Sequence, residues 1–223
     1  MNMSDPIQGP DHGRTRAQPL RRPLQAVGLL TGAVGLAALL IFALPRMGAY
    51  KPYGTPLLDP RPAADFRLTG SDGKAYTLKS FRGKAVLIFF GFVNCPDVCP
   101  TTLAELSKVY QALTPAEQGR VQVLMITADP ERDTPAVLEK YVTFFDPRFL
   151  GLTGTPNQVA EVAKGYGVFY QKSQIKSARE YSVDHTASVF LVDPRGRLRL
   201  IYGYGKARQT DRVLQDLRWV LKG

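Results

Sequence analysis

The chain has 223 residues, 44% of them hydrophobic and 22% charged, with a net charge of +10. That is room for one substantial domain with additions around a real core, and two cysteines exclude a disulfide framework. No arginine-rich arm and no basic patch interleaved with exposed aromatics is present, so nucleic acid is not an expected partner; the charge fits a solvated surface, an acidic partner or an anionic membrane face.

Residues 1–23 are polar, carry Arg14, Arg16, Arg21 and Arg22, and read as a short cytoplasmic tail. Asp5 and Asp11 count against a mitochondrial transit peptide, which is normally poor in acid. Residues 24–44 are almost wholly apolar and bounded by Pro23 and Pro45. They match the ~20 residues a helix needs to cross a bilayer and exceed the ~7–15 of a signal-peptide core. An uncleaved transmembrane anchor is expected. The arginines before it place the N-terminus in the cytoplasm and the domain on the outer, periplasmic side of a bacterial inner membrane. Gly28 and Gly32 form a weak helix-pairing signal. Residues 45–64, rich in proline, read as an extended linker, and 65–223 as the folded domain.

Within the domain, Phe66–Leu68 and Ala75–Thr77 flank the turn sequence Ser71-Asp72-Gly73 and predict a hairpin. Residues 85–93 are continuously apolar, as in a strand buried on both faces. After Cys99, Pro100 suits the first position of a helix whose stripe is Leu103, Leu106, Tyr110 and Leu113. Val121–Thr127 is the next buried strand. The polar loop 129–135 leads, with Thr134 as cap, into a helix whose apolar face is read as Val137, Tyr141, Phe144 and Phe145. Phe149–Thr153 is a short strand, and Thr155-Pro156 opens a helix with Val159, Val162, Ala163 and Tyr166 inward. Residues 168–184 break the pattern as an exposed excursion or extra hairpin. Ser188–Val192 and Arg197–Tyr202 form a last hairpin, and Val213, Leu217, Val220 and Leu221 mark the final helix. The alternation predicts an α/β fold with a largely parallel central sheet, and a cysteine turn between the first buried strand and first long helix resembles a thioredoxin-like fold with an N-terminal hairpin extension.

Cys95 and Cys99, four positions apart at the start of a helix, are the chemical focus. The positive end of the helix dipole favours a thiolate there. Three readings stand side by side. The thiols are inert core residues; or they are a redox pair, although such pairs usually have two intervening residues and this one has three; or they bind a soft metal, with His185 as a third donor. Two thiolates suit Cu(I), whereas zinc would want a fourth ligand. His185 is the one histidine beyond the N-terminal tail.

The stretches Gly91-Phe-Val-Asn-Cys-Pro-Asp-Val-Cys-Pro100, Asp129-Pro-Glu-Arg-Asp-Thr-Pro135 and Val183-Asp-His-Thr186, in that order, resemble the Sco/SenC copper chaperones. The resemblance runs from about Pro62 to the C-terminus. It implies a membrane-anchored thioredoxin-like domain that binds one copper, as Cu(I) or Cu(II), through Cys95, Cys99 and His185. It also implies a role in assembling the copper A centre of cytochrome c oxidase subunit II, with a copper-donor chaperone upstream. Members are proposed to deliver copper, to reduce the oxidase cysteines, or both, so a thiol–disulfide oxidoreductase acting through Cys95 and Cys99 on an exported partner remains the alternative. A peroxiredoxin-like peroxidase is weakened because no Thr stands shortly before Cys95. Asp97, Asp129, Asp133 and Asp184 are candidates for supporting the site, each with a plain alternative as a turn, loop or cap residue.

Overall fold

A computed structural model describes residues 50–57, 59, 61–177 and 180–223. The tail (1–23), the anchor (24–44) and the first residues of the linker (45–49) lie outside the described residues. Among those described, no helix is long and apolar enough to cross a membrane.

The centre of the fold is a strand of unbroken hydrophobicity, β4 (Ala85–Gly91), buried along its whole length. Successive side chains of a strand point to opposite faces. Ala85, Leu87 and Phe89 therefore enter one core, and Val86, Ile88 and Phe90 the other. A strand apolar at every position must be covered on both sides. To its flank runs β5 (Val121–Thr127), parallel and in register from Ala85 opposite Val121 to Gly91 opposite Thr127. Beyond β5 lies β6 (Leu150–Thr153), also parallel. On the other flank β9 (Val189–Val192) and β10 (Leu198–Tyr202) add antiparallel. The predicted N-terminal hairpin, β2 (Arg67–Gly70) and β3 (Ala75–Thr77), joins the far side through β6. With β1 (Thr55–Pro56) the order across the sheet is β1-β10-β9-β4-β5-β6-β2-β3. The expectation of a largely parallel sheet thus holds only for β4, β5 and β6. Hairpins, which can only add antiparallel strands, supply both wings.

Helices α1 (Val98–Gln111), α3 (Pro135–Phe145) and α5 (Thr210–Lys222) bury their stripes in one core, and α4 (Pro156–Tyr166) in the other. A single turn of helix, α2 (Pro115–Gln118), capped reciprocally by Thr114 and Glu117, precedes β5. The whole is the thioredoxin-like α/β arrangement that the cysteine turn implied. The exposed excursion is a separate two-stranded sheet, β7 (Tyr170–Ser173) with β8 (Ser182–His185).

Two helical readings shift in phase. The first long helix begins at Val98, so Pro100 is its third residue. The first four N–H groups of a helix have no intrahelical acceptor, so proline is tolerated there as well. In α3 the buried residues are Leu138 and Val142, while Val137 is exposed and Phe144 is 83% exposed. Tyr141 and Phe145 flank that stripe half-buried. The aromatic density of the segment drew the predicted face one position off the true i, i+4 pair.

The segment read as an extended linker is, in its described part from Tyr50 on, attached to the domain. Asp216, fully buried on α5, accepts from the Tyr50 hydroxyl (2.6 Å), the Tyr53 and Gly54 N–H groups (2.9 and 2.8 Å) and the Tyr202 hydroxyl (2.9 Å). Thr55 and Pro56 then pair with β10. Removing a buried acceptor leaves its donors unsatisfied, at about 1–3 kcal/mol each. Asp216→Ala is expected to lose about 3 kcal/mol in chemical denaturation, and to expose the Tyr53 and Gly54 amides to rapid hydrogen exchange.

Candidate metal centre

Strand β4 ends at Gly91, and the chain turns over Phe92–Cys95, where the Cys95 N–H donates to the Phe92 carbonyl at 3.3 Å. Gly91 is required by close approach: a Cβ there would lie 2.6 Å from the Phe89 ring and 3.0 Å from the Cys99 sulfur. Cys99 is the second residue of α1 and fully buried, while Cys95 is half-buried at the mouth of the turn. The Cys99 N–H, an unpaired donor of the first helical turn, donates to the Cys95 Sγ at 3.4 Å.

His185 arrives from the other end of the chain as the last residue of β8. Tyr181, Val183 and His185 alternate onto the inward side, and Asp184 points outward into solvent. The imidazole stands edge-on to Phe92 (centroids 5.7 Å apart) and Phe89 (6.1 Å). Its Nδ1 lies 3.2 Å from the Thr186 carbonyl, which can only accept. That contact orients the ring, and Nε2 stands 3.4 Å from Cys99 Sγ. The ligand atoms of Cys95, Cys99 and His185 all lie within 4.8 Å of one another. All three residues singled out in the sequence are thus brought together, and Asp184 is not the group that orients the ring.

The two thiols are electrostatically unequal. A hydrogen bond from Cys99 pulls Cys95 down to about 4; His185 and the backbone N–H groups of Cys99 and Asp97 assist, against partial burial. Cys99 is pushed strongly up, first by that same hydrogen bond and then by burial. The lowering at accessible Cys95 and the raising at buried Cys99 share one first cause, the hydrogen bond between the two sulfurs.

The acidic candidates divide cleanly. Asp97 is exposed, and its carboxylate accepts from the Thr101 hydroxyl at 3.2 Å, as a turn residue does. Asp129 and Asp133 are buried. Asp133 accepts from the Val93 N–H (3.1 Å), in the cysteine turn, and from the Thr127 hydroxyl (2.6 Å) at the end of β5. Asp129 accepts from the Tyr181 hydroxyl at 2.7 Å and pairs with the Arg132 Nε. Arg132 also donates to the Tyr181 carbonyl (3.0 Å) and stacks on its ring, 3.7 Å from the centroid. The polar loop between β5 and α3 therefore grips both ligand-bearing segments. Sequence reasoning named the two aspartates but missed Arg132, Tyr181, Phe89 and Phe92. The only available signal was the even spacing of Tyr181, Val183 and His185.

The SCO1/SenC family model matches residues 56–222. The mitochondrial SCO2 homologue of Bos taurus is 42% identical over 156 residues, 69% of this chain and 58% of that protein. The chain thus spans about three fifths of the length of such curated relatives. The apo Sco1 protein of Thermus thermophilus, a solution structure, is 52% identical with a TM-score of 0.70, covering 77% of this chain and 99% of that one. Bradyrhizobium japonicum ScoI with copper bound is 39% identical with a TM-score of 0.64, covering 71% and 99%.

Burial lifts the Asp133 carboxyl from its usual value to about 6, partly opposed by the Thr127 and Val93 hydrogen bonds. A raised acid binds its proton more tightly folded than unfolded. Its contribution to stability is greatest below the unfolded value near 4, and declines as pH rises through about 6. Denaturation of the metal-free domain should therefore show stability falling by about 2 kcal/mol between those pH values. In Asp133→Asn, which keeps both acceptor contacts through Oδ1, this slope should vanish.

Proposed function

The chain belongs to the SCO1/SenC family, and from that premise we propose that it is a membrane-anchored copper carrier serving assembly of the copper A centre in cytochrome c oxidase subunit II. The cargo is a single copper ion, Cu(I) or Cu(II), held by Cys95, Cys99 and His185. The observation that carries this reading is the convergence of two sulfurs and one imidazole nitrogen within 4.8 Å. The donor set fits the cargo: thiolates are soft ligands that select Cu(I), and imidazole serves both oxidation states. The copper-bound state of the Bradyrhizobium relative supports the same assignment.

The chain's own residues arrange loading and release. Both cysteines are free, as metal binding requires, and a Cys95–Cys99 disulfide would block it, so redox state gates loading. Cys99 has no solvent exposure and Cys95 does. An acceptor thiolate entering from solvent meets the Cys95 side first, so ligand exchange begins there and Cys99 is displaced last. The Nδ1 contact with Thr186 keeps Nε2 aimed at the sulfurs.

Residues 24–44 would anchor the chain in a bacterial inner membrane, with 1–23 cytoplasmic, 45–64 leading outward and the domain of 65–223 on the periplasmic side. The four arginines preceding the apolar run support that orientation. A copper-donor chaperone would load it, and the oxidase subunit would receive.

A second reading rests on the asymmetry of the thiols. An accessible, acidic Cys95 beside a buried, protonated Cys99 is also the arrangement of an attacking and a resolving cysteine. That would make the chain a thiol–disulfide oxidoreductase toward an exported partner. Insulin reduction separates the two: a carrier turns over negligibly.

His185→Ala is expected to lower Cu(II) affinity at least about a hundredfold and to abolish the sulfur-to-copper absorption band, with the far-UV spectrum unchanged. Unchanged copper affinity in that variant would sink the assignment. In cell fractionation, the full chain should sediment with membranes and a chain lacking residues 1–45 should not.

A further inference from the structure

The positive charge of the domain gathers at the end opposite the metal centre, where the copper site makes no use of it. Strand β4 finishes beside the cysteine turn; around its start several segments meet. The Gly83 N–H donates to the Pro194 carbonyl at 3.0 Å, the Ala85 N–H to the Arg120 carbonyl at 2.8 Å and the Leu198 N–H to the Arg61 carbonyl at 2.9 Å. The Arg120 Nη2 donates to the Leu221 carbonyl at 2.9 Å, in the last turn of α5. These contacts bring Arg61, Arg82, Lys84, Arg120, Arg195 and Lys222 to one end of the sheet. All are exposed except Lys84, which is half-buried. None has a carboxylate side-chain partner among the described residues. Asp193, the acid among them, is buried and already held by Arg197 and Arg199, and the Gly223 terminus offsets one charge. The metal end differs: Asp97 and Asp184 are exposed there, and Lys172 is paired with Glu131.

The array fits a charged surface better than a single small anion. Arg120, Arg195 and Lys222 line one cavity of about 200 Å³, which Asp193 also lines, while Arg61, Arg82 and Lys84 lie outside it. A lone phosphate there would engage half the set. A sheet of phosphate headgroups would engage all of it, since each exposed Lys or Arg adds attraction within a Debye length of an anionic bilayer. The path of the chain points the same way. Tyr50 packs its ring against Trp219, centroids 5.5 Å apart, one turn before Lys222 on α5. Residues 45–49 alone separate Tyr50 from the apolar run of 24–44, and even fully extended they span at most about 20 Å.

We propose that this basic end docks on the anionic headgroups of the bilayer to which the chain is tethered, so that the metal centre faces away from the membrane. The inference rests on the anchor reading. The tether makes the contact effective by supplying a high local concentration of lipid, whereas a domain without its anchor is screened from the surface at physiological salt. A tether alone would let the domain tumble; the second contact fixes which end meets a partner. Strand β4 is seven residues long, so docking at its start holds the cysteine turn about 20 Å above the headgroups.

The test reconstitutes the full chain in nanodiscs of phosphatidylcholine, alone or with about a third phosphatidylglycerol, each carrying a dansyl-labelled lipid. Trp219 is the single tryptophan, so energy transfer from it reports how close this end lies to the lipid. Transfer is expected to be about twofold higher in the anionic discs and to return to the neutral value in about 0.5 M salt. In the double variant Arg82→Glu, Arg195→Glu, which changes two exposed side chains outside the copper site, the anionic excess should vanish while Cu(II) binding stays as in wild type. Equal transfer in the two kinds of disc overturns the docking, and is the result an acidic protein partner at this face would give. An excess that survives salt or the charge reversal overturns it as well. A chain that does not co-elute with either disc overturns the anchor reading, and the docking falls with it; co-elution therefore separates the two failures.

Discussion

Arg132 stands where the two halves of the site meet. Its guanidinium pairs with the buried Asp129, covers the face of Tyr181 and reaches the Tyr181 carbonyl. Tyr181 returns a hydrogen bond to Asp129, closing a small network in which each member restrains the others. The network matters because His185 lies on a hairpin that belongs to its own two-stranded sheet, outside the main one. A two-stranded hairpin is marginally stable in water. Without a brace it would carry His185 through a range of positions. With Tyr181 fixed, His185 is four residues further along the same face of β8, and its direction is set.

Asp133 performs the complementary task for the sulfurs. It ties the Val93 amide, two residues before Cys95, to Thr127 at the end of β5. Strands β4 and β5 are already in register there, with Gly91 opposite Thr127. The cysteine turn is thus referenced to the buried central pair of the sheet. One short loop, 129–135, fixes both the thiols and the imidazole relative to β5. Placing a site on supports of this kind holds donor atoms close without a metal to gather them. The cost is two buried carboxylates 2% and 1% exposed, which only their hydrogen bonds and Arg132 make tolerable.

The sequence made the architecture legible wherever one physical signal dominated. The unbroken apolar run of β4, the Thr-Pro helix starts at 134–135 and 155–156, and the stripe of α1 each emerged at the expected place. The signal failed where two tendencies competed. In α3 the three aromatics Tyr141, Phe144 and Phe145 outweighed the i, i+4 pair Leu138 and Val142, and packing against β6 and α1 decides which side faces inward. The prolines of 45–64 signalled an extended segment. They could not reveal that a carboxylate 163 residues away holds the Tyr53 amide. The donor set was legible from composition, since so few soft ligands exist. Its support was not: Tyr181 and Arg132 are residue types that occur everywhere, and their significance is purely positional.

What the support leaves out is as informative as what it holds. Among the described residues, Cys95, Cys99 and His185 form the cluster with no fourth member. Asp129 and Asp133 are turned into the brace, with their carboxylates committed to Tyr181, Arg132, Thr127 and Val93. A structural zinc site closes its tetrahedron and gains folding energy from doing so. Here the scaffold is complete without an ion, and the donors converge from one side only, between a buried sulfur and a half-exposed one. Preorganisation lowers the ordering cost of binding, which favours capture; the absent fourth donor leaves room for a rival ligand, which favours surrender. Under the proposed carrier reading, a site preassembled yet one donor short would serve both capture and release, and a loose or a closed site would serve only one.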